Sequence, residues 1–546
     1  MLSLPAFHLW SAAVVILLGS AAENGYIGVL VNQPQQYIRD WINVSYVERY
    51  STSLTPEDLN FIWSATISSK EVGQVIGSLF AGFLADRYGR TKLMAWITVP
   101  LLLGLLLQAN CVTIGHFAAL LCGRFVSALA LGAASVAIPV YLTEIAPLYA
   151  RGPLGFAYFL ASIFGETIAF LVEMPPVLGS KRRWCYGFYI PCAFVVVQWI
   201  GMTAYFHESP RHALLSERDK DKAAASVAFY QGEHCVSAVI EELERELQYR
   251  SENFSAEQKT NSDPEHQSEN CTGEERDSDS NLQQSQSSSL VTLVLFGNLR
   301  HAFRITLALC IAKVFAGPAV VLSYSTEMLT SFGVSTSVAQ YTSTGIGVSM
   351  LVASVASLDL VERVGRRIVV IASGWMTCIA LMVLTATAII ANATQNDTLQ
   401  ELRSISELVP VGIYAFALYL WGATYSLGLG PSTYCMIAEM WSQNHRATVV
   451  AFGTALMYAV NIVLTLFMPS VLNAIHGYTL LVLICPLSVG ISYSSWYLPE
   501  TKGKTNLQIV KELSRHQTNS GGRRNLLPST DVFSNEILYA PLSEEQ

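Results

Sequence analysis

Apolar positions in this chain run on for about the length of a bilayer crossing, then stop at short charged turns. Twelve such runs are present, approximately at 8–31, 61–84, 93–112, 117–142, 153–174, 186–206, 302–326, 340–360, 368–391, 409–436, 446–468 and 477–497. In lipid every backbone N–H and C=O needs a partner within the protein, which leaves helices or closed barrels. Runs this long and this uniformly apolar suit helices, so the pattern predicts an all-α membrane protein with twelve transmembrane helices. No Lys or Arg precedes the first run, so it reads as a retained span rather than a cleaved leader.

The turns repeat. Gly82-Phe-Leu-Ala-Asp86-Arg87-Tyr-Gly89-Arg90-Thr-Lys92 separates runs two and three, and Leu360-Val-Glu362-Arg363-Val-Gly365-Arg366-Arg367 separates runs eight and nine. Glu144 precedes Arg151 by seven residues after run four, and Glu439 precedes Arg446 by seven after run ten. His207-Glu208-Ser-Pro210-Arg211 and Pro499-Glu500-Thr-Lys502-Gly503 close the two halves. The pairs are offset by 276 (Arg90 to Arg366), 295 (Glu144 to Glu439) and 292 (Glu208 to Glu500) residues. One membrane unit is therefore written twice, with loop insertions between the copies. These motifs resemble GRxGRR, PxYxxEiaPxxxRG, PESPR and PETKG of the sugar porter family, the facilitative glucose transporter-like branch of the major facilitator superfamily. The resemblance spans roughly residues 14–504.

The predicted layout is an N-terminal six-helix bundle over 1–206, a linker over 207–300, a C-terminal six-helix bundle over 301–497 and a polar tail over 498–546. Within the linker, 211–250 has amphipathic helical spacing, whereas 251–289 is Ser, Glu, Gln and Asn with few apolar residues and is expected to be disordered. Lys and Arg favour the even-numbered loops once Arg211, Arg218, Lys220, Lys222, Arg300, Lys502 and Lys504 are included, which places both termini in the cytosol. The polar loop 32–60 and the loop 391–410 are then outside, with glycosylation sequons at Asn43, Asn392 and Asn396. The plasma membrane is the expected location.

Composition agrees. Hydrophobic residues make up 51% and charged residues 14%, with a mean hydropathy of +0.38, against about a quarter charged in soluble domains. The net charge of −8 reflects acids concentrated in the linker and tail. No basic, aromatic-interleaved stretch suggests nucleic acid. The ten Cys are scattered with no CxxC and no His cluster, so neither a metal nor another cofactor is expected. Catalytic constellations are likewise missing, so the chain is not expected to be an enzyme. The anticipated partners are a small hexose-like solute and membrane lipid; the sequence leaves oligomeric state open.

The resemblance implies a cytosolic gate in which Glu144, Arg151, Glu439 and Arg446 pair with Arg90 and Arg366 across the bundle faces, supported by Asp86, Arg87, Glu362 and Arg363. Ion pairs of this kind, formed in one state and lost in the other, bias a two-state equilibrium.

Helix breaks are expected at Gly25 and Gly28, Pro139, Gly317-Pro318 and Gly428-Leu-Gly430-Pro431, the first and fourth helices of each half, around one central cavity. The resemblance puts the solute there, against Asn32, Phe159, Ser162, Glu166, Lys313, Ala319, Gly430, Tyr434, Met457 and Asn461. At several of these positions the chain departs from glucose carriers. Phe159 stands for a Gln, Ala319 for an Asn of the seventh helix, Met350 and Met457 for further Asn residues, and Tyr434 for a Trp. Intramembrane charges take their place: Glu23, Lys70, Glu71, Glu166, Glu173, Lys313 and Glu327. Glu166 lies seven residues from Phe159 on one face of the fifth helix, and an ion pair with Lys313 is expected. Lys70 and Glu71 are expected to reach toward the interface.

The leading reading is facilitative transport of a small polar solute, a hexose such as glucose, by alternating access. The alternatives are a carrier for a non-glucose, charged solute, and a non-transporting sensor that retains only the gate.

Overall fold

The computed structural model describes residues 4–245, 300–331, 334–396, 403–441, 443–475 and 478–502. The 251–289 segment and most of the tail therefore lie outside the described residues. Twelve helical spans cross the molecule. The first six are Leu4–Ile16 continuing through a π-helical turn into Ala22–Val29, then Pro56–Tyr88, Arg90–Ala109, Phe117–Ile145, Leu148–Val172 and Ile190–Ala204. The second six are Arg300–Phe315 with Pro318–Ser331, then Thr336–Val364, Arg366–Asn396, Arg403–Thr424 continuing through a second π-helical turn into Gly430–Met440, Gln443–Ile475 and Leu481–Tyr497. Among the described residues nine helices are both long and apolar enough to span a bilayer. The second span carries Lys70 and Glu71 at its middle, which lowers its hydropathy, and the twelfth has only 17 residues.

One helix outside the spans is not expected from the pattern, and two others fall in the linker, where the spacing is amphipathic. The polar 32–60 stretch, expected as a loop, contains the helix Gln35–Tyr50. Its Ile38, Ile42 and Ser45 fall at spacings of four and three, forming one buried stripe on an otherwise polar segment. The linker helices Pro210–Leu215 and Lys220–Gln231 are capped by Ser209 and Asp219, whose side chains accept from the N–H groups of His212 and Lys222. Lys220–Gln231 packs on Leu4–Ile16. We term the end carrying these linker helices proximal, and the end carrying Gln35–Tyr50 distal.

Small residues set the closest crossings, as is usual where lipid supplies no hydrophobic drive between helices. A Cβ on Gly25 would collide with the Ser162 carbonyl, and one on Gly165 with the Ala22 carbonyl, so spans one and five touch backbone to backbone. Of the expected breaks, two are real. Gly317 adopts φ +84° and separates the two halves of span seven, and the tenth span widens into a π-turn at Tyr425–Leu429, just before Gly430-Pro431. Pro139 lies inside the continuous helix Phe117–Ile145, and Gly25 and Gly28 lie inside the helical segment Ala22–Val29; the first span is irregular earlier, at Leu17–Ala21.

Candidate functional site: the seam between the bundles

Polar bonds close the distal half of the seam. Asn32 Nδ2 donates to the Leu322 carbonyl and to Ser325 Oγ, both at 2.8 Å. Gln33 Nε2 donates to Thr344 Oγ1 at 2.9 Å, and Thr167 Oγ1 to the Gly347 carbonyl at 2.9 Å. Ser68 and Thr465 hydroxyls meet at 2.9 Å. Arg39, on the distal helix, pairs with Glu327 of span seven at 3.0 Å, and Gln35 Nε2 donates to the same carboxylate at 2.6 Å. Asn32 thus ties the bundles together and has its amide fully engaged. Further toward the proximal end the seam is apolar: Phe156 of span five packs with Leu358, Val361, Val369 and Cys435 of the other bundle.

Between these layers lies the cluster anticipated for the solute. The Phe159 ring covers Gly430, where a Cβ would find no room, and sits 6.2 Å from the Tyr425 ring. Lys313 is buried; its Nζ donates to the Gly430 carbonyl at 2.9 Å and lies 3.4 Å from the Tyr434 ring centroid and 5.4 Å from that of Phe159. Phe159, Lys313, Gly430 and Tyr434 are therefore brought together from both bundles. Met457 is packed in the core, and Ala319 is half-buried just beyond the Gly317 break. Ser162 is buried where spans one and five cross. Asn461 Oδ1, Thr454 Oγ1, Ser426 Oγ and Ser432 Oγ, all on spans ten and eleven, are buried without a protein partner.

The expected Glu166–Lys313 ion pair is not made. Glu166 packs its Cγ against Gly25, and the cation acting on it is Lys70. Lys70 in turn does not reach toward the interface: its Nζ pairs with Glu71 at 3.6 Å and abuts Gly28. The reason is packing. Glu166 and Lys70 converge inside one bundle on the glycine face of span one, whereas Lys313 belongs to the other bundle. Arg124, at 1% exposure, was missed because it lies singly within an apolar run. Its Nε donates to the Thr66 carbonyl at 3.0 Å and its Nη1 to that of Ile27 at 3.2 Å, tying spans one, two and four.

At the proximal end the duplicated motifs fold alike. Arg90 pairs with Glu144 at 3.2 Å and with Asp86 at 3.1 Å. Arg366 pairs with Glu439. Both pairs are closed within a bundle and not across the seam, because each arginine and its carboxylate come from the same repeat. Arg87 stacks on Phe83 and Tyr88, Arg151 Nε donates to the Ala146 carbonyl, and Arg363 pairs with Asp359 on the surface, where Glu362 is also exposed. The Arg446 side chain lies outside the described residues, as do those of Asn392 and Asn396; Asn43 is half-buried on the distal helix.

Behind each arginine stands a helix cap. Glu208 accepts from the N–H groups of Arg90 and Thr91 at 2.8 and 3.1 Å and from Thr91 Oγ1 at 2.6 Å. Glu500 accepts from the N–H groups of Arg366 and Arg367 at 3.1 and 3.2 Å. A carboxylate at a helix N-terminus satisfies orphan donors and complements the helix dipole. Arg90 Nη1 donates to His212 Nδ1 at 2.9 Å. Because a guanidinium has no acceptor, that contact requires an unprotonated Nδ1. Burial, reinforced by the Arg90 charge, holds the His212 imidazole below its usual range.

Comparison with known proteins agrees with this geometry. The family model described as "Sugar (and other) transporter" matches residues 12–513. The facilitated glucose transporter member 7 of solute carrier family 2 from Mus musculus is 26% identical over 494 residues, covering 90% of this chain and 87% of its own length. Member 1 of the same family from Gallus gallus is 24% identical, covering 92% and 93%. In three dimensions the chain is similar to the major facilitator superfamily proton:xylose symporter XylE bound to 6-bromo-6-deoxy-D-glucose, with TM-score 0.70 and 19% identity over 93% of this chain and 99% of that one. The protein belongs to the sugar transporter family and has the twelve-helix major facilitator fold.

Proposed function

We propose that the chain is a facilitative carrier that moves a hexose-like solute across a membrane by alternating access, binding it between the bundles at the level of Phe159 and Lys313. The observation that carries this reading is the set of buried, unpartnered polar atoms on spans ten and eleven (Ser426, Ser432, Thr454 and Asn461), lying on the bundle that also supplies Gly430 and Tyr434. A polyhydroxylated ring is the kind of ligand that would satisfy such groups, and Tyr434 and Phe159 offer it apolar faces. The glucose carriers named above support a hexose. Solute transfer needs no bond-making chemistry and no cofactor.

In this reading the distal end faces outward and the proximal end faces the cytosol, consistent with the Lys and Arg bias of the loops. The plasma membrane is the proposed location, and Asn43, Asn392 and Asn396 are the proposed glycosylation positions. Arg90–Glu144 and Arg366–Glu439 act on the gate by keeping each bundle's cytosolic end rigid as the bundles rock. Uptake of labelled glucose by a transport-null cell expressing the chain, competed by unlabelled hexoses, tests the proposal. Surface-expressed protein with no saturable hexose uptake would refute it.

A further inference from the structure

We infer that the solute carries a negative charge, as in a sugar acid such as a hexuronate, and that Lys313 is its counter-ion; this rests on the sugar-carrier reading above.

The buried cations of the two bundles differ in their partners. In the first bundle Lys70 pairs with Glu71 and faces Glu166, while the Arg124 guanidinium is also within the field of Glu71. In the second bundle Glu327 is taken by Arg39 at the distal end and Glu439 by Arg366 at the proximal end. Lys313 remains. Among the described residues no carboxylate lies within 4 Å of its Nζ, and the groups around it are the Gly430 carbonyl, the faces of Tyr434 and Phe159, and the thiols of Cys310 and Cys435. A carbonyl dipole and two ring faces offer a cation only partial negative charge, and an ammonium has three donors of which the protein engages one by hydrogen bond. Buried cations of this kind call for a paired anion.

The surroundings fit a carboxylate better than another hydroxyl. The positions at which the resemblance expects neutral amides hold Phe159, Ala319, Met350 and Met457, none of which can bond a sugar hydroxyl through its side chain. The site has thus exchanged several neutral hydrogen-bonding groups for one charge and more apolar surface. Phe159 comes from the opposite bundle, so its contact with Lys313 crosses the seam. Separating the bundles at this level removes one face of the aromatic enclosure and opens a place beside the ammonium that a solute carboxylate would fill.

A purely mechanical role for Lys313, bracing span seven against Gly430 of span ten, predicts no preference for charge. The wild-type protein in proteoliposomes separates the two by competition, with labelled D-glucose and labelled D-glucuronate as probes. Charge-assisted bonds exceed neutral ones enough that glucuronate is expected to compete at about tenfold lower concentration than glucose. Lys313→Gln is expected to shrink the preference for glucuronate over glucose about tenfold, whatever it does to the uptake of both, and Lys313→Arg to retain that preference. Uronates competing no better than glucose, or Lys313→Gln depressing both solutes equally, would overturn the inference while leaving the hexose carrier intact. Uptake of neither solute would overturn the carrier reading itself.

Discussion

Arg39 and Glu327 join the two bundles at their distal end: the guanidinium comes from the helix Gln35–Tyr50 and the carboxylate from the second half of span seven. Each side chain is about four-fifths buried, so the pair is worth more than a fully solvated one, on the order of 1 kcal/mol. Arg39→Ala is therefore expected to shift the conformational balance toward distal opening about fivefold. The labelling rate of Gln33→Cys by a membrane-impermeant maleimide, with and without Arg39→Ala, measures this. An unchanged rate would remove the pair from the gate.

The caps at Glu208 and Glu500 predict matched defects in the two halves. Removing a helix N-terminal acceptor costs about 0.5–2 kcal/mol, and Glu208 also holds Thr91 Oγ1. Glu208→Ala and Glu500→Ala should each lower the melting temperature in detergent, since Glu500 accepts from the N–H groups of Arg366 and Arg367 and, at 3.0 Å, from those of Thr501 and Lys502. An absent shift in either half would contradict the capping geometry.

His212 should make the cytosolic end sensitive to acid. Its folded-state proton affinity is depressed, so between that depressed value and about pH 6.5 the unfolded chain binds the proton that the folded chain refuses. Stability then falls as pH drops through that window and is fully present above it. His212→Asn, whose amide oxygen can accept from Arg90 and does not titrate, should flatten the dependence of melting temperature on pH between about 5 and 7. A slope identical to wild type would exclude His212 as its source.

Glycine substitutions should divide sharply. Gly25→Ala and Gly165→Ala drive a methyl into a backbone carbonyl across the span one–span five crossing, where overpacking costs about 1–3 kcal/mol. Gly82→Ala and Gly152→Ala meet nothing within 4 Å. Monodisperse yield on size-exclusion chromatography should drop for the first pair and hold for the second; the opposite order would show the crossing to be loosely packed.

The spans were legible because lipid imposes a length on apolar runs, and the duplicated turns because charges cannot be buried cheaply. Partner choice was not legible. Glu166 and Lys313 are both charges within apolar spans, yet the glycines of span one bring Lys70 to Glu166, and aromatic faces surround Lys313. Such choices depend on which helix faces meet, and a span apolar on all sides carries no periodic mark of its buried face. Arg124 left only a single letter in such a run. The helix Gln35–Tyr50 escaped notice for the converse reason: its buried stripe is Gln35, Ile38, Ile42 and Ser45, of which only the two isoleucines are apolar.

Gly317 has one further consequence. The left-handed backbone there detaches the last 14 residues of span seven from the helix axis behind them, and Glu327 sits on that detached piece. Admission from the distal side would then require swinging a flap of about four turns on a single-residue pivot, with far less mass and buried area displaced than in tilting six helices. A carrier built this way could close over its cargo before the larger halves begin to move.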